Sequence, residues 1–272
     1  MELAIVKYYQ KHQQQIIENF QLSLETDNVD AIHDMRVSFK RFKILLQILE
    51  KISDGKIVAK HEYVHFNELF KKSGRLRDLH VQRQLLDAYK LRNGNSYGHY
   101  SDYIERRLIK RRINYLLVAS TFLPDFMTEL GNQCRDLISA EQTQHLLSTS
   151  AAIITSKLAS ISRAYKRGGE PAFHEIRREF KEIQYLNNIM NNQLPIKQLL
   201  NIDALRVIEL GQMLGAWHDK WNGQLMLDKF LSGNQETDSP ESYYSLLQLI
   251  KLEKENEYQQ IDKILQTEVT LS

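Results

Sequence analysis

Cationic side chains recur at helical spacing in one short segment of the sequence. His33, Arg36 and Lys40 are separated by three and four residues, and Lys43 and Gln47 continue the series. On an α-helix this spacing places all five side chains in one stripe about 80° wide. Arg offers a planar fork to phosphate oxygens, Lys offers a mobile charge, and His gains charge below about pH 6.5. The segment therefore predicts a surface that binds phosphate groups.

Apolar residues occupy most of the remaining faces of this predicted helix. Met35, Phe39 and Phe42 lie opposite the stripe, and Val37 and Ile44 flank it. Like charges at these spacings destabilise a helix by a few tenths of a kcal/mol per pair, and the cost rises when burial removes their hydration. Because an external polyanion would compensate this cost, we expect the stripe to face a basic channel inside a helical bundle.

The stripe has a second copy 141 residues later in the chain, followed by a weaker continuation through Gln184 and Asn188. The principal pairs at this single offset are His33/His174, Arg36/Arg177, Lys40/Lys181, Gly74/Gly215 and Asp78/Asp219. One ungapped offset over this length indicates an internal duplication. We predict one domain made of two pseudo-twofold-related helical bundles, about residues 1–140 and 141–272, packed around the basic channel.

The elements that must position these stripes are predicted to be helices throughout, in an all-α fold. The sequence has only 11 Gly and 4 Pro in 272 residues and lacks extended strand-like alternation. Helices are predicted at 2–25, 28–51, 57–72, 76–92, 98–120, 124–138, 142–167, 171–191, 196–213, 215–231 and 240–268. Gly74 and Gly215 are interpreted as helix ends, with Asp78 and Asp219 as N-caps or, alternatively, as carboxylates that orient a stripe side chain.

The formal net charge of +2 conceals an asymmetry. Residues 236–268 contain eight acids and three bases, which leaves the rest of the chain at about +7. Clustered positive charge indicates a polyanionic partner, although solvated helix faces are an alternative explanation. Six further cations outside the stripes are predicted as a possible extension of the binding surface: Arg107, Lys110, Arg111, Arg163, Lys166 and Arg167.

The compartment can be predicted from cysteine usage and hydropathy. Cys134 is the single cysteine, which excludes an intrachain disulfide and fits a reducing environment. A cleavable leader and a run of about 18 apolar residues are both absent from the sequence. We therefore expect a cytoplasmic protein that does not span a membrane.

The two matched segments, 32–43 and 173–185, resemble the repeated signature helices of the CHAD family, the conserved histidine α-helical domain. Segments 74–81 and 214–219 resemble its glycine–aspartate turns, and the resemblance covers about residues 5–265. It implies two helical bundles around a basic channel that binds inorganic polyphosphate without catalysis, cofactor or metal. It also implies association with polyphosphate granules.

The resemblance, together with the stripe pattern, assigns the binding residues. They are His33, Arg36, Lys40, Arg41 and Lys43 in the first half, and His174, Arg177, Arg178, Lys181 and Tyr185 in the second. Glu182 and Gln184 stand where the family usually has basic residues, so the second half is expected to bind more weakly. His218 replaces the asparagine that usually precedes the aspartate at position 219.

Two other functions remain open from the sequence. A basic channel would attract nucleic acid, but base stacking needs aromatic side chains, and Tyr185 alone adjoins the stripes. His61, Glu62 and His65 match a zinc-hydrolase helix motif that lacks its downstream glycine and histidine. We therefore expect a non-enzymatic polyphosphate-binding protein. The sequence leaves open whether the acidic C-terminal helix has a protein partner.

Overall fold

The computed structural model describes residues 2–25, 28–137, 143–190, 192–233 and 240–269. Within these ranges it contains α-helices and no β-strand, which confirms the predicted all-α fold. The helices are α1 (Glu2–Glu25), α2 (Val29–Ile52), α3 (Ala59–Asn93), α4 (Gly98–Ala119), α5 (Phe126–Leu137), α6 (Thr143–Arg167), α7 (Gly169–Ile189), α8 (Ile196–Leu200), α9 (Ala204–Gly233) and α10 (Pro240–Thr267).

The predicted helix ends at Gly74 and Gly215 are wrong. Gly74 and Asp78 lie inside α3, and Gly215 and Asp219 lie inside α9, so neither aspartate is an N-cap. A glycine within a helix costs only about 1 kcal/mol relative to alanine, and tertiary packing outweighs that cost here. A real break occurs instead at Asn201, which adopts a left-handed conformation (φ 62°) between α8 and α9.

The helices pack as corresponding pairs in the two parts of the chain. In the first part α1 packs on α2 and α3 on α4; in the second part α6 packs on α7 and α9 on α10. Contacts of α2 with α7 and of α3 with α9 join the two parts. Adding 141 to the bounds of α1, α2, α3 and α4 gives 143–166, 170–193, 200–234 and 239–260, which lie close to the bounds of α6, α7, α9 and α10.

The two stripe helices are held by apolar packing on the faces away from their cations. On α2, Met35, Phe39 and Phe42 are fully buried, and the Phe39 ring stacks on Phe66 with 4.8 Å between centroids. On α7, Phe180 and its neighbours Ile176 and Ile183 are equally buried. Burial of such side chains contributes about 1.5–3 kcal/mol each. The apolar faces thus fix the rotation of both helices and, with it, the direction of the stripes.

Several acidic residues of the C-terminal segment are bound within the molecule. Glu253 accepts hydrogen bonds from the Tyr89 hydroxyl (2.6 Å) and from Arg92 (2.8 Å), both on α3. Glu257 pairs with Lys220 of α9 at 2.5 Å, and Asp262 accepts a hydrogen bond from Tyr165 of α6 at 2.8 Å. Just beyond α10, Glu268 pairs with Arg206 of α9 at 2.5 Å. These contacts account for much of the negative charge of the C-terminal segment.

In the described parts of the chain, every helix is too short or too polar to cross a bilayer.

Candidate functional site

The two cationic stripes meet where α2 and α7 pack against each other. Arg36 and Lys40 of α2 lie with Arg177 and Lys181 of α7 in one group, which we call the central cluster. Lys40 experiences the positive charges of the other three. Burial, and then these charges, lower the pKa of Lys40 to about 7. The structure therefore brings together the arginine and lysine of both copies.

Arg36 is fixed to α3 by several contacts. Its guanidinium lies 4.4 Å from the centre of the Phe70 ring and donates hydrogen bonds to the Phe70 carbonyl oxygen and, at 3.2 Å, to Ser73 Oγ. Gly74 makes room for this arrangement, because a Cβ there would lie 2.8 Å from Arg36 Nη1. Burial lowers the pKa of Arg36 to about 10, while Asp78 opposes the shift, so Arg36 stays charged near neutral pH.

The matched cations on α7 have fewer partners. Arg177 forms no hydrogen bond or ion pair with the described part of the chain, and its Nε is shielded from solvent. Lys181 donates a long hydrogen bond of 3.4 Å to Gln184 Oε1, and burial followed by the charge of Arg177 lowers its pKa. These two side chains retain donors for an external anion.

The two histidines lie at different positions around the cluster. His33 is exposed, and its pKa is lowered by partial loss of hydration and by Arg77. His174 packs against Trp217, His218 and Trp221, the last with 4.1 Å between ring centroids. Burial, with His218 and Arg177, lowers the pKa of His174 to about 4. Both rings are thus neutral at pH 7 in the free protein.

Other predicted stripe residues lie at the edge of the cluster or outside it. The Arg41 guanidinium is 5.8 Å from the centre of the buried Tyr185 ring, and Lys43 Nζ is 4.9 Å from that of Tyr63. Arg178 is not brought to the cluster. Its side chain is 62% exposed and pairs with Glu179 at 3.2 Å.

The departure from the repeat at Glu182 has a structural reason. Glu182 corresponds to Arg41 and pairs with Lys157 of α6, which also binds Glu179 at 3.1 Å. The three side chains form a largely buried ion-pair group. Lys157 of α6 therefore compensates the negative charge of Glu182, which a largely buried carboxylate requires.

The six predicted extension residues divide into two sets. Arg107 and Arg111 of α4 line a pocket beside α3, whereas Lys110 on the same helix is exposed. Arg163 and Lys166 of α6 are also exposed, and Arg167 pairs with Glu175 at 2.6 Å. Arg107 and Arg111 thus lie near another arginine, Arg75, whereas the other four predicted residues are exposed.

Arg75 and Arg77 of α3 lie near the site but were not predicted as binding residues, whereas Asp78 was predicted as an N-cap or as a carboxylate that orients a stripe side chain. Arg77 acts electrostatically on His33 and Arg36, and Arg75 lines the pocket with Arg107. Asp78 interacts with Arg36; partial loss of hydration raises its pKa, and Arg36 counteracts that rise. The sequence contains a signal for two of them, since a helix that continues through Gly74 places Arg77 and Asp78 about one turn from it.

The zinc-motif residues do not converge on further ligands. His65 stacks on Phe126 with 4.7 Å between ring centroids, and His61 is exposed. Among the residues that the structure describes, no group of three His, Cys, Asp or Glu side chains could hold a metal ion.

Comparisons with known proteins identify one family and two solved structures of similar fold. The family model described as CHAD domain matches residues 7–228. The chain is similar to the crystal structure of the CHAD domain from the plant Ricinus communis, with a TM-score of 0.70 and 15% identity over 97% of this chain and 90% of that chain. It is also similar to PptA from Streptomyces chartreusis, with a TM-score of 0.62 and 13% identity over 98% of both chains. No curated protein matches the sequence.

Proposed function

The chain belongs to the CHAD domain family, and we propose that it binds inorganic polyphosphate at the central cluster without converting it chemically. One observation carries the proposal. Arg36, Lys40, Arg177 and Lys181, from matched positions in the two repeats, lie together in a partly buried setting where their charges repel one another.

The repulsion within the central cluster destabilises the free protein and favours the binding of an anion. Asp78 offsets part of the charge, yet the pKa of Lys40 still falls to about 7. A linear polyanion would replace the lost hydration and cancel the repulsion between the cations. Each charge-assisted hydrogen bond to it contributes about 1.5–3 kcal/mol, so a few such bonds give tight binding.

A ligand without bases agrees better with the aromatic residues than nucleic acid does. Base stacking requires an accessible ring face. Tyr185, the aromatic residue predicted beside the stripes, is only 7% exposed. We therefore place nucleic acid second, as a competitor that shares the phosphate chemistry.

The proposal also includes the internal duplication of the chain and its location in the cell. The agreement of helix bounds at an offset of 141 supports two halves that arose by duplication and act as a single domain. A protein that binds long polyphosphate would accumulate where that polymer is stored, so we propose association with polyphosphate granules.

Titration calorimetry with polyphosphates of defined length tests the proposal. The variant Arg177→Gln/Lys181→Gln should bind at least about tenfold more weakly than the wild type, because it loses two charged donors. Arg163→Gln/Lys166→Gln removes two exposed cations of α6 and should change affinity by less than about threefold. Equal affinity of the first variant and the wild type would move the site elsewhere.

Salt dependence and competition distinguish the ligand class. Affinity should fall steeply as salt rises, with a shallower slope in the Arg177→Gln/Lys181→Gln variant. Polyphosphate should displace labelled RNA at equal phosphate concentration. The reverse order would favour nucleic acid, and release of orthophosphate from the polymer would contradict binding without catalysis.

A further inference from the structure

In addition to the central cluster, a basic pocket lies on the side of α3 that faces α4. It has a volume of about 190 Å³. We call it the α4 pocket, and its main polar residues are Arg75, Asp78 and Gln82 of α3, Arg107 and Arg111 of α4, and Asn222 of α9. The volume exceeds that needed for a single water and accommodates a phosphoryl group.

The α4 pocket begins beside the central cluster. Gly74 faces Arg36, and Asp78 follows it by about one turn of α3. Arg36 and Lys40 both act electrostatically on Asp78, which also lines the pocket. Asp78 thus lines the α4 pocket and lies within electrostatic range of the central cluster.

The arginines of the pocket retain hydrogen-bond donors. Arg107 lies 5.1 Å from the centre of the Tyr103 ring and donates one bond of 2.7 Å to its hydroxyl, and its Nε has no partner. Arg75 and Arg111 form no hydrogen bond or ion pair within the described ranges. Three arginines against one carboxylate leave this pocket with excess positive charge.

The other polar groups of the pocket are already engaged within the protein. Gln82 Nε2 donates to the carbonyl oxygen of Asp219 at 2.9 Å, and Asn222 Nδ2 lies 3.2 Å from His218 Nδ1. The Gln82 bond joins α3 to α9, and the Asn222 contact lies within α9; both hold the pocket wall in place. The arginines are therefore the groups that an anion would bind.

The arginines of the pocket have no counterparts in the matched positions of the second half. At the offset of 141, Arg75, Arg107 and Arg111 correspond to Ala216, Gln248 and Leu252. The central cluster, by contrast, takes Arg and Lys from both repeats. A polyanion in the centre would find additional cationic donors of this kind in one direction only.

We propose, building on the function proposed above, that a long polyphosphate leaves the central cluster past Asp78 and binds its next phosphates in the α4 pocket. The path of the polymer is therefore one-sided. Chains that reach both places bind more tightly than chains that fill the central cluster alone. The pocket makes the protein selective for chain length.

The variant Arg107→Gln/Arg111→Gln tests this path with two ligands, tripolyphosphate and a long polyphosphate of defined length. It should bind the long chain at least about tenfold more weakly than the wild type and tripolyphosphate within about twofold. Arg106→Gln/Lys110→Gln changes the same charge on exposed positions of the same helix and should weaken both ligands little and equally. Arg75→Gln, which breaks no bond within the described ranges, serves as a second variant if the first fails to fold.

The outcomes separate this inference from the proposed function. If the wild type binds neither ligand, the proposed function fails. If the wild type binds both, but Arg107→Gln/Arg111→Gln and Arg75→Gln retain its affinity for the long chain, the inference alone fails. Equal losses for tripolyphosphate and the long chain would also overturn it, because the pocket would then belong to the primary site.

Discussion

Lys40 lies among three other cations, and its charge depends on what occupies the central cluster. Burial and the neighbouring cations lower its pKa to about 7 in the free protein, so a large fraction of the molecules lack this charge at neutral pH. A polyanion bound there, as proposed above, would stabilise the protonated form of Lys40 and raise its pKa again. The proposed polyphosphate binding would therefore be coupled to proton uptake by Lys40.

We predict that affinity for polyphosphate rises as pH falls. Above pH 7 Lys40 is mostly neutral when free, and binding must first protonate it; below pH 7 it is already charged. Affinity should increase about tenfold from pH 8.5 to pH 6.5, and the binding enthalpy should depend on the ionisation enthalpy of the buffer. Calorimetry in two buffers measures both effects.

Lys40→Gln supplies the control for this pH dependence. The variant should bind more weakly and show a nearly flat profile over the same range. The histidines act at lower pH, because the pKa of His174 is lowered to about 4 and that of His33 also lies below its ordinary value. A pH profile in Lys40→Gln as steep as that of the wild type would assign the proton to another group.

The site could be predicted only in part from these residues. The spacing of His33, Arg36 and Lys40 was sufficient to predict a stripe, because helical periodicity is a local property. The charge states of the histidines depend on burial and on neighbours such as His218, which come from distant parts of the chain. Their expected gain of charge near pH 6.5 does not agree with the lowered pKa of either ring.

Among the helices, α3 and α9 carry matched glycines with different surroundings. At Gly74 a Cβ would lie 2.8 Å from Arg36 Nη1, whereas at Gly215 nothing lies within 4 Å of that position. Gly74 is thus needed for the placement of Arg36. Gly215 has no comparable contact, and an alanine there would improve helix propensity.

We predict that alanine weakens binding at position 74 and stabilises the fold at position 215. Gly74→Ala should displace the Arg36 guanidinium from Ser73 and weaken polyphosphate binding about tenfold, without a large loss of stability, because the obstructing atoms belong to a flexible side chain. Gly215→Ala should leave affinity unchanged and raise the free energy of unfolding by about 0.5–1 kcal/mol. Calorimetry and denaturant unfolding measure these changes. Equal affinities of the two variants would contradict a positioning role for Gly74.

The bounds of most helices could be predicted from the sequence, except where tertiary packing determines whether a helix continues. The predicted spans 2–25 and 98–120 differ from α1 and α4 by at most one residue, because periodicity and breakers act locally. The segment around Gly74 looks like a turn when only the local sequence is considered. In the folded protein α3 continues through it, and the glycine accommodates Arg36, which is 38 positions earlier in the chain.

For the molecule as a whole, α10 links the C-terminal end to the first repeat. Glu253 receives hydrogen bonds from Tyr89 and Arg92 of α3. Tyr89 is 2% exposed, so its hydroxyl depends on this carboxylate. Although partial burial raises the pKa of Glu253, the two hydrogen bonds lower it below its ordinary value.

We predict that Glu253→Ala lowers the free energy of unfolding by about 1–3 kcal/mol, because a buried hydroxyl loses its acceptor. Glu255→Ala, at an exposed position of the same helix, should stay within about 0.5 kcal/mol of the wild type. The ionised Glu253 contributes stability above its unfolded pKa, and this contribution is lost as pH falls through the folded value. The gap between wild type and Glu253→Ala should therefore narrow in acid; thermal unfolding at pH 7 and pH 3 measures it.

The position of α10 also matters for the choice of recombinant fragments. The matched family segment ends at residue 228, inside α9, whereas α10 begins at Pro240. An expression clone cut at that boundary would lack the carboxylate that binds Tyr89 and would uncover the side of α9 on which α10 packs. Homology limits are therefore a poor guide to where this polypeptide can be shortened.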